Sequence, residues 1–237
     1  MATSHTKIIA CATVVEEVLP ILPEGISCEV LDFGLHLTPE KLRVTLQERI
    51  DAADADTVML GYGLCSMAVV GLRANECTIV VPRVDDCIAI FLGSHDAYMA
   101  QARREPGTYY LTKGWIEVSD TPFAEYERLV ERYGQIRALR MIKLMLKNYT
   151  RLAFIDTGHY DQERYREYAC LMAKQFDLRY EELPGSRALV TKMIFGPWNG
   201  DFVIARPGET IMYADFKTPI DQTPGPVIPV INDRSQS

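Results

Sequence analysis

The chain has 237 residues, 48% of them hydrophobic and 24% charged, with a formal charge of −7. That length buries a real core in one large domain or two small ones, and the balance is ordinary for a soluble globular protein. The negative charge excludes a broad nucleic-acid surface or an anionic membrane as partner, since both need a basic face. No run approaches the length of a membrane span. The short polar start, Met1 to Thr6, lacks a signal-peptide pattern, so a cytoplasmic protein is expected. Six cysteines without a CxxC pair give no disulfide framework, zinc ribbon or thioredoxin motif.

In chain order, Lys7 to Thr13 reads as a first strand and Val14 to Leu22 as a short helix closed by Pro23 and Gly25. Ile26 to Leu31 is a second strand, followed by a loop, Asp32 to His36. Thr38 with Pro39 is a helix cap with proline at the first helical position. The helix from Pro39 to Ala53 carries an apolar stripe of Leu42, Leu46 and Ile50. Thr57 to Leu60 and Thr78 to Val81 are short apolar runs bounded by turn signals, the pattern of buried parallel strands. A short helix is expected between them, from near Ser66. Further helices are expected from Asp85 to Leu92 and from Ser94 to Arg104, then a β-rich piece, Thr108 to Leu111.

Thr121-Pro122 starts a helix that runs to Gly134, and a second helix carries Ile136, Leu139, Ile142 and Leu146. Arg151 to Ile155 is a strand, Asp161 to Phe176 a helix, Leu178 to Glu182 a strand, Ser186 to Phe195 a helix and Asp201 to Ala205 a last strand. The fold class expected is α/β, with doubly wound, mostly parallel sheets in Rossmann-like lobes. Residues 1–118 form the first lobe, residues 119–212 a helical linker and second lobe, and residues 213–237 a Pro/Gly-rich extended tail.

Three strands end in a thiol. Cys11 closes the first, Cys65 follows the third in Leu60-Gly61-Tyr62-Gly63-Leu64-Cys65-Ser66, and Cys87 follows the fourth in Val81-Pro82-Arg83-Val84-Asp85-Asp86-Cys87. In open α/β sheets ligands bind at the carboxyl ends of the strands. Three converging thiolates suit zinc or an iron–sulfur cluster, with a fourth position open. The plainer reading is that they fill tight space beside glycines, as Cys28, Cys77 and Cys170 are expected to do elsewhere. One of Asp85 and Asp86 caps the next helix, and the other is a metal ligand or general base, with Asp86 the candidate catalytic residue. Arg83 either grips a carboxylate or phosphate or neutralises those aspartates. Gly61-x-Gly63 lacks the third glycine and the acidic partner of a dinucleotide site. Its glycines allow close approach of a ligand, with Tyr62 and Gly63 lining the pocket.

Other candidates for substrate contact are Ser94 and His95 at a helix start, and Lys113 and Trp115, placed to close over an anion. Asp156 and His159 stand at the strand end of the second unit. Each has a plainer alternative as a cap, a packing residue or a turn. Neither a nucleophile elbow nor a Walker phosphate loop occurs.

The segments Ile9-Ala10-Cys11, Leu60 to Cys65, Gly71-Leu72, Pro82-Arg83, Asp86-Cys87-Ile88, Leu92-Gly93-Ser94, Gly107 to Leu111, Gly114 to Glu117 and Asp156-Thr157-Gly158 carry a resemblance. Together they span about residues 7 to 210, and the chain resembles the family called domain of unknown function 1638. That family occurs in anaerobic bacteria and methanogenic archaea, often encoded beside corrinoid-dependent methyltransferases. The chain departs from it at Asp85, where the family commonly shows histidine.

The resemblance implies no established activity but a context of methyl or one-carbon metabolism. Joined to the thiols, it implies a metal-dependent enzyme, with zinc on Cys11, Cys65 and Cys87 holding a substrate thiol that attacks a methyl group. Arg83 and Lys113 would grip an anionic small-molecule substrate and Asp86 would orient or deprotonate it. A corrinoid protein or a methyltransferase would be the partner, and a homo-oligomer the assembly. The alternatives are an oxygen-sensitive iron–sulfur enzyme and a non-catalytic corrinoid or methyl-donor binding or accessory protein.

Overall fold

A computed structural model describes residues 5–65, 67–158 and 160–217. The first sheet has five strands: β1 (Thr6–Cys11), β2 (Ser27–Leu31), β3 (Thr57–Gly61), β4 (Thr78–Pro82) and β8 (Phe202–Ala205), in the order β2-β1-β3-β4-β8. All neighbours are parallel except β4 and β8. The second sheet is parallel and three-stranded, β5 (Thr108–Leu111), β6 (Arg151–Asp156) and β7 (Arg179–Pro184), in that order. The fold is therefore α/β with mostly parallel sheets of Rossmann-like type. Near-continuous apolar runs, Val58-Met59-Leu60 and Ile79-Val80-Val81, make β3 and β4 strands buried on both faces.

Nine helices are assigned among the described residues: α1 (Val15–Val18), α2 (Pro39–Asp51), α3 (Cys87–Leu92), α4 (His95–Arg104), α5 (Lys113–Val118), α6 (Pro122–Tyr133), α7 (Gln135–Met145), α8 (Glu163–Gln175) and α9 (Ala188–Phe195). In α2 the stripe Leu42, Leu46 and Ile50 is buried, each residue contributing roughly 1.5–3 kcal/mol against exposure. No helix of the described residues is long and apolar enough to cross a membrane.

Strand β1 is the centre of the design. From it the chain goes to β2 on one side, then crosses back to β3 on the other, which makes the β1–β3 gap a topological switch point. Register pairs Ala10 with Gly61 and Cys11 with Leu31. Cys11 and Tyr62 therefore leave adjacent strands at the same height.

Sequence order and sheet membership part company at two strands. Thr108–Leu111 pairs with β6, and Phe202–Ala205 returns to the first sheet against β4. The sheets also share packing. Along β6, Ala153 and Ile155 join the core of the first sheet, while Leu152 and Phe154 face α6, α7 and α8 in a second core, the two-residue alternation of a strand.

The helix expected from near Ser66 does not form among the described residues, where 67–71 are turns. Cys65, Met67 and Gly71 take positive φ values of 45°, 73° and 89°, which are incompatible with right-handed helix. Ser66 itself lies outside the described residues. Of the expected tail, Tyr213–Phe216 forms a 3-10 turn and residues 218–237 lie outside the described residues.

Candidate functional site

The carboxyl ends of β1, β3 and β4 deliver Cys11, Cys65 and Cys87 to one edge, all three buried. Two backbone bonds lace the β3 and β4 loops together, from Leu64 N to Val84 O at 2.8 Å and from Cys65 N to Asp85 O at 3.0 Å. Gly63 makes that lacing possible. A Cβ there would stand 2.7 Å from Val84 O and 3.0 Å from Asp86 N. What approaches this glycine is the neighbouring loop. Cys65 is held at φ +45°, a left-handed conformation that costs a non-glycine residue about 1–2 kcal/mol and that clusters at functional sites.

The thiols share an electrostatic field. Burial raises the pKa of Cys65, with further contributions from Asp86 and Cys11. Burial also raises that of Cys87, with contributions from Asp86, Cys65 and Cys11, and the nearby Trp115 indole opposes it. Burial raises Cys11 against the opposing hydrogen bond of Thr13, whose Oγ1 lies 3.2 Å from Sγ. At the centre is Tyr62, fully buried. Its hydroxyl is pushed up by burial and then by all three thiols, and it has no hydrogen-bond partner. The indole N–H of Trp115 is the second buried donor here without one. It approaches Cys87 without reaching hydrogen-bond geometry.

Asp86 is the cap of the two neighbouring aspartates: its Oδ1 accepts from Ile88 N at 2.8 Å. Burial lifts its pKa to about 6, the Asp85 charge adds to the lift, and the Ile88, Ala89 and Tyr98 hydrogen bonds oppose it. The carboxyl therefore titrates close to neutrality, where acid–base exchange is most efficient.

Trp115 arrives through α5. Thr112 Oγ1 caps that helix by accepting from Trp115 N at 3.2 Å. Gly114 lets the helix lie on the β1–α1 loop, since a Cβ there would stand 2.6 Å from Thr13 O. Trp115 meets Phe33 edge-on at 5.5 Å between ring centroids.

His36, at the end of the expected Asp32–His36 loop, also joins this group. Its ring stacks on Phe33 at 5.1 Å and on Tyr62 at 5.7 Å. Its Nδ1 lies 4.0 Å from Cys11 Sγ and 3.2 Å from Phe33 O. Burial lowers its pKa. No motif marks it, because its place follows from β2 lying beside β1.

The other candidates sit elsewhere. Arg83 Nη2 donates to Phe202 O at 3.4 Å, toward β8. Lys113 is ion-paired with Glu16, stands 3.7 Å from Glu117 and covers the Tyr160 ring. Ser94 caps α4, its Oγ accepting from Ala97 N at 3.1 Å. His95 Nε2 stands 3.7 Å from Asp85 Oδ2 at the exposed rim. Asp156 belongs to the edge of the second sheet, where it accepts from Gly158 N at 2.9 Å and meets Arg166 Nη2 at 3.4 Å. A cavity of about 420 Å³ opens there, lined by residues 156–158 and 182–185. His159 lies outside the described residues. A larger cavity, about 650 Å³, lies at the opposite, amino edge of the first sheet among Asp51, Asp54, Asp56 and Glu76, away from the thiols.

The two edges touch where Thr157 Oγ1 donates to the buried Glu17 Oε1 at 2.7 Å. Among the described residues, no group of three or more His, Cys, Asp or Glu side chains is placed to hold a metal ion. The three thiols thus share a field without forming a ligand shell in this geometry.

A family model described as "Protein of unknown function (DUF1638)" matches residues 30–194, and the chain belongs to that family. The match takes in His36, Cys65, Cys87 and Trp115, while Cys11 precedes it. No curated protein and no solved structure matches the chain.

Proposed function

We propose that this member of a family without assigned activity is a small-molecule enzyme whose centre is the cluster at the β1–β3–β4 edge, with Cys11, Cys65 and Cys87 binding a soft metal ion, zinc first. The observation that carries the reading is the gathering of three buried thiols from three adjacent strand ends around the partnerless Tyr62 hydroxyl. As free thiols they are poor nucleophiles, because burial and their neighbours keep them protonated. A cation among them reverses that, since a coordinated thiol is deprotonated outright. Binding requires the sulfurs to draw closer together than they stand.

Bound there, zinc would supply a Lewis acid that holds a substrate thiol as thiolate at neutral pH. The chain's own groups divide the remaining work. Asp86, titrating at about 6, accepts the proton that the substrate thiol gives up. Tyr62 Oη and Trp115 Nε1 are buried donors in need of an acceptor, and an anionic substrate provides one. Lys113 is engaged with carboxylates, while Arg83 donates Nη2 to a carbonyl and keeps a buried Nε without a partner, so the gripping role falls to Arg83, Tyr62 and Trp115. The resemblance to a family encoded beside corrinoid-dependent methyltransferases supports a methyl group as the target of the thiolate and a corrinoid protein as its donor.

The test is metal analysis with a visible spectrum on protein purified without oxygen, beside Cys11→Ser, Cys65→Ser and Cys87→Ser. Near-stoichiometric zinc, lost in all three variants while circular dichroism stays unchanged, is the expected result. A broad visible absorbance with iron would replace zinc by an iron–sulfur cluster on the same ligands. Protein that stays metal-free even after zinc is added, or serine variants that keep their metal, would overturn the reading.

A further inference from the structure

We propose that the outward face of α7 docks onto a second copy of this chain, at the acidic amino edge of that copy's first sheet. The contact is independent of the metal centre and lies on other parts of the molecule.

Charge is unevenly spread along the chain. The whole carries a formal −7, yet Arg132 to Ile155 holds no aspartate or glutamate and six basic residues: Arg132, Arg137, Arg140, Lys143, Lys147 and Arg151. Arg151 is buried in the second sheet and Lys143 is paired with Asp177. Arg137, Arg140 and Lys147 are exposed and form no ion pair among the described residues.

The same helix exposes apolar side chains. Ala138, Ile142 and Leu146 bury its inner side in the second core. On the other side Ile136 and Leu144 are 72% and 67% exposed, with Met141 at 42% and Met145 at 38%. Residues four apart are neighbours on a helix, so the face has two rows, Ile136-Arg140-Leu144 and Arg137-Met141-Met145. Arginine and apolar side chains share both rows. A helix that lies in a membrane interface instead separates an apolar side from a charged one. The mixed face suits a protein surface of opposite charge, since arginine and methionine are enriched at protein interfaces.

Two copies joined symmetrically through α7 would set like charges against each other. The complementary surface is the amino edge of the first sheet. The cavity of about 650 Å³ there is lined by Asp51, Asp54, Asp56 and Glu76, with no lysine or arginine among the described residues lining it. All four acidic residues are exposed. Asp56 accepts from His5 N, and Asp51 from Gln47 and Asn75. Asp54 and Glu76 form no ion pair among the described residues. The resulting contact is head-to-tail, which closes into a ring or continues as a chain. It leaves the thiol edge of every copy open, because that edge is the opposite one of the first sheet.

Sedimentation velocity over a range of protein concentrations, at low and at high salt, tests the contact. Wild type is expected to pass from monomer to larger species as concentration rises, and to return toward monomer at high salt. Two double variants reverse one surface each, Arg137→Glu with Arg140→Glu and Asp54→Lys with Glu76→Lys, with circular dichroism as the control for folding. Each alone opposes like charges and is expected to stay monomeric. An equimolar mixture of the two is expected to associate again, because each reversed surface finds its opposite. Leu144→Ser, which leaves the charges untouched, is expected to weaken wild-type association by about tenfold. Wild type that stays monomeric at every concentration at low salt overturns the proposal, as does association that survives reversal of α7. Variants that are each monomeric and stay apart when mixed would overturn the acidic edge as the partner surface. A monomer that binds vesicles of anionic lipid through α7 would give this face to a membrane instead.

Discussion

Arg151 in the second sheet and Tyr62 in the first are both fully buried polar side chains, and their surroundings treat them in opposite ways. Arg151 spends every arm of its guanidinium: Nε donates to Thr108 Oγ1 at 2.7 Å, Nη1 to Glu181 Oε2 at 3.0 Å and Nη2 to Gln101 Oε1 at 3.1 Å. The bond to Gln101 ties α4 to the sheet. Tyr62 has three thiols around its hydroxyl and no partner, with the partnerless Trp115 N–H close by. A satisfied buried charge specifies structure. A buried donor that folding leaves without an acceptor calls for an explanation, such as strain, a catalytic role or a bound group. Around Arg151 the polar groups satisfy one another, whereas at Tyr62 a buried donor is left over, as hydroxyls of Tyr110 and Tyr180 are in the second sheet.

The sharpest way to break this contrast is at Arg151. Replacing it with methionine removes three hydrogen bonds and one half of a buried ion pair, a change that typically costs about 3–5 kcal/mol. Glu181 keeps Arg179 at 2.7 Å and Arg104 at 3.5 Å, which places the expected loss at the lower end. Urea unfolding measures it, and metal content should stay at the wild-type level. Loss of metal in a folded Arg151→Met protein would mean that the two regions are not independent.

Asp86→Asn should act in the other direction. The folded pKa, about 6, is above the ordinary value of 3.8, so between those values the folded protein binds more protons than the unfolded chain. The stability associated with the protonated carboxyl is full below about pH 4 and is lost as pH rises through about 6. Asparagine keeps the cap on Ile88 N and cannot ionise. The metal-free variant should therefore match wild type at pH 4 and exceed it at pH 7 by up to about 3 kcal/mol, which is what a shift of this size represents. Thermal melts across that range decide it. Equal stability at both pH values would show that the carboxyl is not held in its neutral form by burial. Proton transfer from the substrate thiol should fail in the same variant.

The sequence made most of the scaffold of this contrast visible and little of its tertiary detail. The apolar runs before Gly61 and Pro82, and the Thr121-Pro122 start whose threonine caps α6 by accepting from Ala124 N at 3.1 Å, are local signals and formed as expected. So did the delivery of three thiols to one sheet edge, because it follows from parallel strands alone. His36 stayed invisible because its position depends on β2 pairing with β1, which no short window encodes. The partners of Arg83 and Lys113 depend on β8 and α1 in the same way. The helix expected after Ser66 failed for a local reason, since the left-handed residues Cys65, Met67 and Gly71 interrupt it. Arg151 is read as a strand residue from sequence, yet nothing local shows that its charge is buried.

The smallest expected effect is also the most direct test of the contrast. Tyr62→Phe keeps the ring that stacks on His36 and deletes only the hydroxyl. If that hydroxyl has no partner in the folded protein, its removal lifts a desolvation penalty, and the metal-free variant should gain about 1 kcal/mol in urea unfolding. The same deletion should weaken binding of an anionic substrate, because the donor lost is one that folding had left for it. A variant that loses about 1 kcal/mol instead would show that the hydroxyl is already satisfied within the fold, as Arg151 is. Trp115 Nε1 and Arg83 Nε would then be buried donors left at this edge. Stability and binding moving in opposite directions is the signature of a group held ready at a cost, which neither a core tyrosine nor a saturated guanidinium can produce.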